Sequence, residues 1–187
     1  MKLKFVLPVL VAICISFNNV FAQSTVTPKN EFQKGFGHYT EIGALAATRN
    51  RPDNVTTAAF TFQTVNGYRF SPFVFTGIGI AADLYATQTI VPVFASVRGD
   101  FITKGRFVPY YFADGGYGVD ITSSTTNVSY KSGAMFAAGI GFKIPLVNGA
   151  GFHVNFGYRL QKGATIVSGV RDNYSNNRIA MRAGFYL

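Results

Sequence analysis

The sequence predicts an all-β fold, an eight-stranded antiparallel transmembrane β-barrel whose strands follow one another as an up-and-down meander. Three observations predict it. Apolar residues alternate with small or polar ones in eight segments, which is the period of a pleated strand and not of a helix. Charged residues make up 13% of the chain, about half the ~25% usual for soluble domains, while glycine and aromatic residues are abundant. Beyond the N-terminal apolar run, no stretch is apolar for the eighteen or so residues a membrane helix needs, so only strands remain to cross a bilayer.

The chain has 187 residues, enough for one domain. Met1-Lys-Leu-Lys4 is a positive start, and Phe5 to Ile15 is an apolar run interrupted by Pro8. Val20-Phe21-Ala22 then places small residues before Gln23, so residues 1–22 read as a secretory signal peptide, too short to span a membrane. Cys14 is the only cysteine, so disulfides play no part. Ile13 precedes it, where lipoprotein signals carry Gly, Ala or Ser, and lipidation is not expected. Residues 23–35 are polar, include Pro28, and read as a periplasmic lead-in to a barrel over residues 36–187.

Phe36 to Ala47 sets Glu41 and Gly43 against Ile42 and Ala44, and Thr48–Val55, with Asn50, Pro52 and Asp53, is a loop. Thr57 to Phe70 is the second strand, closed by a tight turn at Ser71-Pro72. Phe73 to Tyr85 opposes Val74, Ile78, Ile80 and Leu84 to Gly77, Gly79 and Asp83. A short link at Ala86–Thr89 leads to Ile90–Ile102, where Val91, Val93, Ala95 and Val97 face away from Ser96, Arg98 and Asp100. Thr103-Lys-Gly105 reads as a tight turn. Arg106 to Asp120 sets Tyr111, Ala113, Tyr117 and Val119 against Phe112, Asp114, Gly116 and Gly118, and Ile121–Val128 is a Ser/Thr/Asn loop. Ser129 to Ile144 opposes Phe136, Ile140 and Phe142 to Gly139, Gly141 and Lys143. After a turn at Pro145–Ala150, Gly151 to Gln161 sets Phe152, Val154, Phe156 and Tyr158 against His153, Asn155, Gly157 and Arg159. Lys162–Tyr174 is expected to be a loop.

The eighth strand is Arg178-Ile-Ala-Met-Arg-Ala-Gly-Phe-Tyr-Leu187. Ile179, Met181, Ala183, Phe185 and Leu187 fall on one face, and Arg178, Arg182 and Tyr186 on the other. An apolar strand of this kind is an aggregation-prone edge unless it pairs with the first strand and closes a barrel. It resembles the C-terminal strand of bacterial outer-membrane β-barrel proteins, and the chain is similar to the small OmpA/OmpX-like barrels over residues 36–187, although it ends in Leu187 where Phe is commonest. The resemblance implies that Ile179, Met181, Phe185 and Leu187 form the signal read by the barrel-assembly machinery. It also implies a Gram-negative outer-membrane location, both termini in the periplasm, short turns on that side and longer loops outside.

The alternation also fits a soluble, lipocalin-like barrel with its charges outside. The charge-bearing faces, however, consist mostly of Gly and Ala between single charges, which suits a narrow lumen better than a solvated surface. With charges inward, Glu41, Asp83, Asp100, Asp114 and the more marginal Asp120 meet Arg69, Arg98, Lys143, Arg159, Arg178 and Arg182. This nearly balanced set is expected to form one ion network in a packed polar core, with Asp114 and Arg98 paired across neighbouring strands. Gly67-Tyr-Arg-Phe70 and Gly157-Tyr-Arg-Leu160 echo one another, which reads as the barrel pattern with Tyr outward and not as a duplicated ligand site.

Little in the sequence points to catalysis. A few barrels resembling this one deacylate or acylate lipid A, or cleave peptides, with a His and a Ser or Asp. His38 has no acid near it in sequence, and His153 is followed by Asn155 where a lipid A deacylase has a serine, so no nucleophile is present at that spacing. No CxxC, HExxH or carboxylate cluster suggests a metal, and Gly77-Ile-Gly79 and Gly139-Ile-Gly141 precede no helix that would cradle phosphate. No cofactor is expected. Three Asn-x-Ser/Thr matches, at Asn54, Asn127 and Asn173, are expected by chance in such loops. The net charge of +9 is scattered singly, which argues against nucleic acid and fits attraction to lipopolysaccharide headgroups. The sequence therefore suggests a monomeric, non-enzymatic outer-membrane barrel with a structural or adhesive role. Its loops at Thr48–Val55, Ile121–Val128 and Lys162–Tyr174 would be displayed to a cell-surface ligand. A narrow pore or carrier for small solutes is the alternative, and a lipid A-modifying enzyme a third.

Overall fold

The computed structural model describes residues 34–48, 56–86, 88–122, 128–146, 149–167 and 170–187. The expected signal peptide, the lead-in up to residue 33 and the loop residues 49–55 and 123–127 lie outside the described residues. Eight strands, β1 (Gly35–Thr48), β2 (Thr56–Ser71), β3 (Val74–Leu84), β4 (Thr89–Asp100), β5 (Val108–Asp120), β6 (Val128–Pro145), β7 (Gly151–Val167) and β8 (Val170–Tyr186), form a closed antiparallel barrel in chain order. The closing ladder runs from Tyr39 opposite Tyr186 to Ala46 opposite Ile179. A reciprocal pair of backbone hydrogen bonds extends it, His38 N to Leu187 O at 3.1 Å and Leu187 N to His38 O at 2.9 Å. Closure leaves neither β1 nor β8 with an unpaired edge along this stretch, which strands crossing hydrocarbon require.

Burial runs opposite to that of a protein built for water. Ile78 is 70% exposed and Ile140 59%, whereas Arg98 and Asp83 are fully buried. Phe152, Val154, Phe156 and Tyr158 on β7, and Ile179, Met181 and Phe185 on β8, continue this apolar exterior around the barrel. A contiguous exterior of this kind far exceeds what soluble monomers expose and matches the lipid-facing band of a membrane barrel. It rules out the lipocalin-like arrangement, in which the two faces would be exchanged. Phe36, Tyr68 and Phe70 form an edge-to-face aromatic group near the end that holds both described termini, the position of an interfacial girdle.

Three sequence expectations are corrected. The stretch Lys162–Tyr174 is not a loop: β7 and β8 pair without interruption from Gly151 opposite Tyr186 to Val167 opposite Val170. Its Ser, Asn and Gly content resembles a loop, but in a hairpin each strand satisfies its neighbour's backbone groups whatever the side chains are. The β1–β8 ladder stops at Ala46 and the β5–β6 ladder at Tyr117 opposite Ala134, while β6–β7 continues to Val128 opposite Val167. Strands β6, β7 and β8 thus rise together beyond the rest as a three-stranded ribbon. The supposed tight turn at Thr103–Gly105 is the middle of a wider link between Asp100 and Val108, with Phe101 N bonded to Pro109 O at 2.8 Å and Gly105 at φ 139°. Finally, the interior is not purely polar. Tyr39, Val65, Phe75, Phe94, Tyr110, Phe112 and Met135 belong to one buried cluster inside the barrel.

Small residues let the wall close on this interior. Gly43 lies opposite Arg182 across the closing seam, and a Cβ there would come within 2.7 Å of Arg182 Cα and Cγ. Gly43→Ala is therefore expected to loosen the seam, at a cost of about 1–3 kcal/mol. The readout is the fraction of protein that runs as the compact, unboiled form on a gel. An unchanged fraction and unchanged urea midpoint would show that β8 can shift to make room.

Candidate functional site

The inward side chains of all eight strands converge on the lumen, because period-2 alternation sends every second residue there. Glu41 on β1 is the hub. Its Oε1 accepts from Arg98 Nη1 on β4, with which it forms an ion pair, and lies 3.0 Å from His153 Nε2 on β7. Its Oε2 accepts from Gln63 Nε2 at 2.5 Å and lies 3.4 Å from Arg182 Nη1 on β8. One carboxylate thus stands between two buried guanidiniums. Buried charges persist only when paired and hydrogen-bonded in this way.

Arg182 also donates from Nε to Asn155 Oδ1 at 3.0 Å, and its Nη1 is 3.8 Å from Asp114 Oδ2. Asn155 in turn donates to the Tyr110 hydroxyl at 3.1 Å. The expected Asp114–Arg98 pair is replaced by a relay. The β4–β5 register sets Ser96, not Arg98, opposite Asp114. Ser96 Oγ donates to Asp114 Oδ1 at 2.6 Å and accepts from Arg98 Nε at 3.1 Å.

Two further ion pairs flank the hub. Toward the end that holds the termini, Lys143 Nζ binds Asp100 Oδ1 at 2.5 Å and donates to the Tyr39 hydroxyl at 3.0 Å; Arg69 donates to that hydroxyl too, also at 3.0 Å. Toward the other end, Arg159 Nη2 lies 2.6 Å from Asp83 Oδ2, whose Oδ1 accepts from Thr61 at 2.7 Å. Arg178 donates to the Leu45 carbonyl at 3.3 Å and lies 4.7 Å over the Tyr85 ring. Asp120 stands apart from these groups: its Oδ1 accepts from Thr122 N at 2.8 Å and caps the segment after β5.

Sequence reasoning missed the aromatic share of this arrangement. Among the described residues, four inward carboxylates face six cations, and rings take up part of the difference. Arg98 lies 4.5 Å over Tyr39, Arg182 4.6 Å over Phe112, and Lys143 about equally near Tyr39, Tyr110 and Tyr186, at 5.3, 5.0 and 5.2 Å. All share the inward parity, so the signal was present, but counting charges alone passes over it. Gln63, Ser96, Thr61 and Asn155 were missed as ion partners for the same reason.

The two histidines separate. His153 is buried against Glu41 and stacks edge-on to Tyr39 and Tyr110. His38 lies on the outer face, with its ring nitrogens 2.7 Å from Asn66 Oδ1 and 2.6 Å from Thr40 Oγ1. Among the described residues, no three His, Cys, Asp or Glu side chains are grouped to hold a metal.

A closed eight-stranded antiparallel barrel with an apolar exterior and an ion-paired interior defines the small membrane β-barrel class. Among solved structures, the chain is similar to the crystal structure of Neisserial surface protein A, with 14% identity over 83% of this chain and 99% of that one, and a TM-score of 0.55. It also aligns with outer membrane protein AlkL, determined by solid-state NMR in lipid bilayers, at 10% identity over 88% of this chain and 94% of that one, with a TM-score of 0.46. At 14% identity the likeness to Neisserial surface protein A is one of fold. No family model and no curated protein matches the chain.

Proposed function

We propose that this protein is an integral outer-membrane barrel of structural or adhesive role, non-enzymatic and monomeric, that holds a side-chain-filled plug in the bilayer and displays its far end outside the cell. The observation that carries this reading is the filled lumen: Arg98, Arg159 and Arg182 are each no more than 2% exposed and are held by carboxylates from other strands. Cross-strand pairs of this kind stiffen a wall and occupy the space a solute would need. The displayed surface includes the β6–β8 ribbon in place of the loop expected at Lys162–Tyr174, together with the segments around Thr48–Val55 and Ile121–Val128. Its partners in this reading are the barrel-assembly machinery, through the outward row Ile179, Met181, Phe185 and Leu187, lipopolysaccharide around the barrel, and a cell-surface ligand at the ribbon and loops.

Two measurements test it. The mature chain is expected to fractionate with the outer membrane and to change mobility on a gel between unboiled and boiled samples. In planar bilayers it is expected to give no resolved unit conductance. Regular, well-resolved openings would instead support the narrow pore. That second reading draws on buried guanidinium nitrogens, Arg98 Nη2 and Arg182 Nη2 among them, that have no hydrogen-bond acceptor in the protein and could line a water-filled path.

A further inference from the structure

A second concave site lies away from the lumen, where the β6–β8 ribbon leaves the barrel. It is a groove of about 620 Å³, lined by Lys131, Lys162, Arg171, Tyr117 and Tyr174 around a floor of small residues. Gly133, Gly163 and Ala164 form that floor. The β6–β7 register slips between Ser132 and Met135, where β6 carries one residue more than β7, and such bulges re-aim neighbouring side chains. Tyr174 stands directly opposite Gly163, on the other face of the ribbon from Lys162 and Arg171; its ring packs over Gly163, where a Cβ would meet it at 2.5 Å, and its hydroxyl donates to Gln88 Oε1 at 3.2 Å.

The charge of this groove is one-sided. Lys131, Lys162 and Arg171 are all exposed, and no carboxylate is among its lining residues. The nearby Asp172 pairs with Thr165, so it alternates to the opposite face of the ribbon from Arg171. Arg171 donates from Nε to Asn173 Oδ1 at 3.0 Å, which steadies its guanidinium without neutralising it.

The height of the groove indicates what it meets. On β7 the outward row runs Phe152, Val154, Phe156, Tyr158, Leu160 and then Lys162. At ~3.4 Å per residue and a tilt of ~40°, that row rises roughly 25 Å, the height of a barrel's apolar band. Lys162 therefore stands where hydrocarbon gives way to headgroups. Ala164 and Asn173 face each other one step higher on the same side, and Lys131 lies opposite Ala164 on β6.

We infer that this groove binds the phosphorylated headgroup of an outer-leaflet glycolipid, lipid A, with Lys131, Lys162 and Arg171 on its phosphates and Tyr117 against its sugar. The inference rests on the outer-membrane reading above. An anionic headgroup fits because three cations converge without a counter-charge at the level of the bilayer surface, continuous with the apolar wall that would take the acyl chains. Lateral packing in the membrane supplies the remaining contacts.

The test uses the full mature chain, folded into detergent micelles and examined by native mass spectrometry. The probes are bis-phosphorylated lipid A, the same lipid with both phosphates removed, and inorganic phosphate. Wild-type protein is expected to retain bis-phosphorylated lipid A and to lose most of it to the dephosphorylated form's level when salt is raised. The triple change Lys131→Gln, Lys162→Gln, Arg171→Gln should reduce retention about a hundredfold, since each surface cation near anionic lipid contributes about fivefold. Each single change should reduce it in part, which covers the event that the triple variant folds poorly. Equal retention of the two lipids, or unaltered retention by the variants, would overturn the inference, as would displacement of the lipid by millimolar inorganic phosphate. A wild-type chain that fails to show heat-modifiable mobility and does not enter lipid vesicles would overturn the membrane reading itself; normal insertion without phosphate preference would overturn only the groove.

Discussion

Replacing Glu41 with alanine is expected to destabilise the barrel by about 3–5 kcal/mol, the largest effect of any single lumen substitution. Its carboxylate answers two buried guanidiniums, Arg98 and Arg182, and also holds His153 and Gln63. Arginine does not lose its charge in a protein, so removing Glu41 leaves two cations in a place of low dielectric. Asp114, at 3.8 Å from Arg182, compensates only one of them in part. The check is urea-dependent folding into micelles, followed by gel mobility and circular dichroism because the chain has no tryptophan. Arg98→Ala should also destabilise, and the double change Glu41→Ala with Arg98→Ala should cost less than the sum. The same cycle for Asp114 and Arg98 should show weaker coupling, because Ser96 stands between them. Strict additivity for Glu41 and Arg98, or stronger coupling to Asp114, would mean that Glu41 is not the hub.

Ile140→Arg is expected to cost about 2–4 kcal/mol, the depth-dependent penalty for a cation on the lipid face near the bilayer midplane. Ile140 is 59% exposed and lies midway along the outward row of β6, between Phe136 and Ile144. Lys143 on the same strand is 3% exposed and faces the lumen. Stability alone does not separate lipid exposure from crowding, so the faces are better read by labelling. Single cysteines at 138, 140 and 142, carrying a small fluorophore, should be quenched by bilayers whose acyl chains hold a quencher. Those at 139, 141 and 143 should not be. Cys14 is the only native cysteine, so the strands offer a clean background. Quenching of the odd set in place of the even set would reverse the faces and restore the soluble barrel.

The inward and outward parity of every strand was legible in the sequence, because a period of two admits only two answers and the apolar set selects one. Ile78, Ile140 and Phe156 needed no neighbour to declare themselves, and neither did Asp83 or Arg159 on the opposite parity. Strand ends were less legible. Lys162–Tyr174 carries loop-like residues, yet its backbone finds partners in its own hairpin, and composition does not record backbone pairing. The link Phe101–Phe107 was read too tight for the same reason.

Local alternation was enough to place apolar residues on one side of eight segments and ions on the other. It could not determine which ion meets which. Glu41 and His153 are 112 residues apart, and Glu41 and Arg98 are 57 apart. They meet because closure of β1 on β8 and the stagger of each ladder carry distant strands to the same height in the lumen. Parity is a local property of the pleat, repeated at every residue. Height in a closed barrel is the sum of all the registers around it, and a register exists only once two strands have paired.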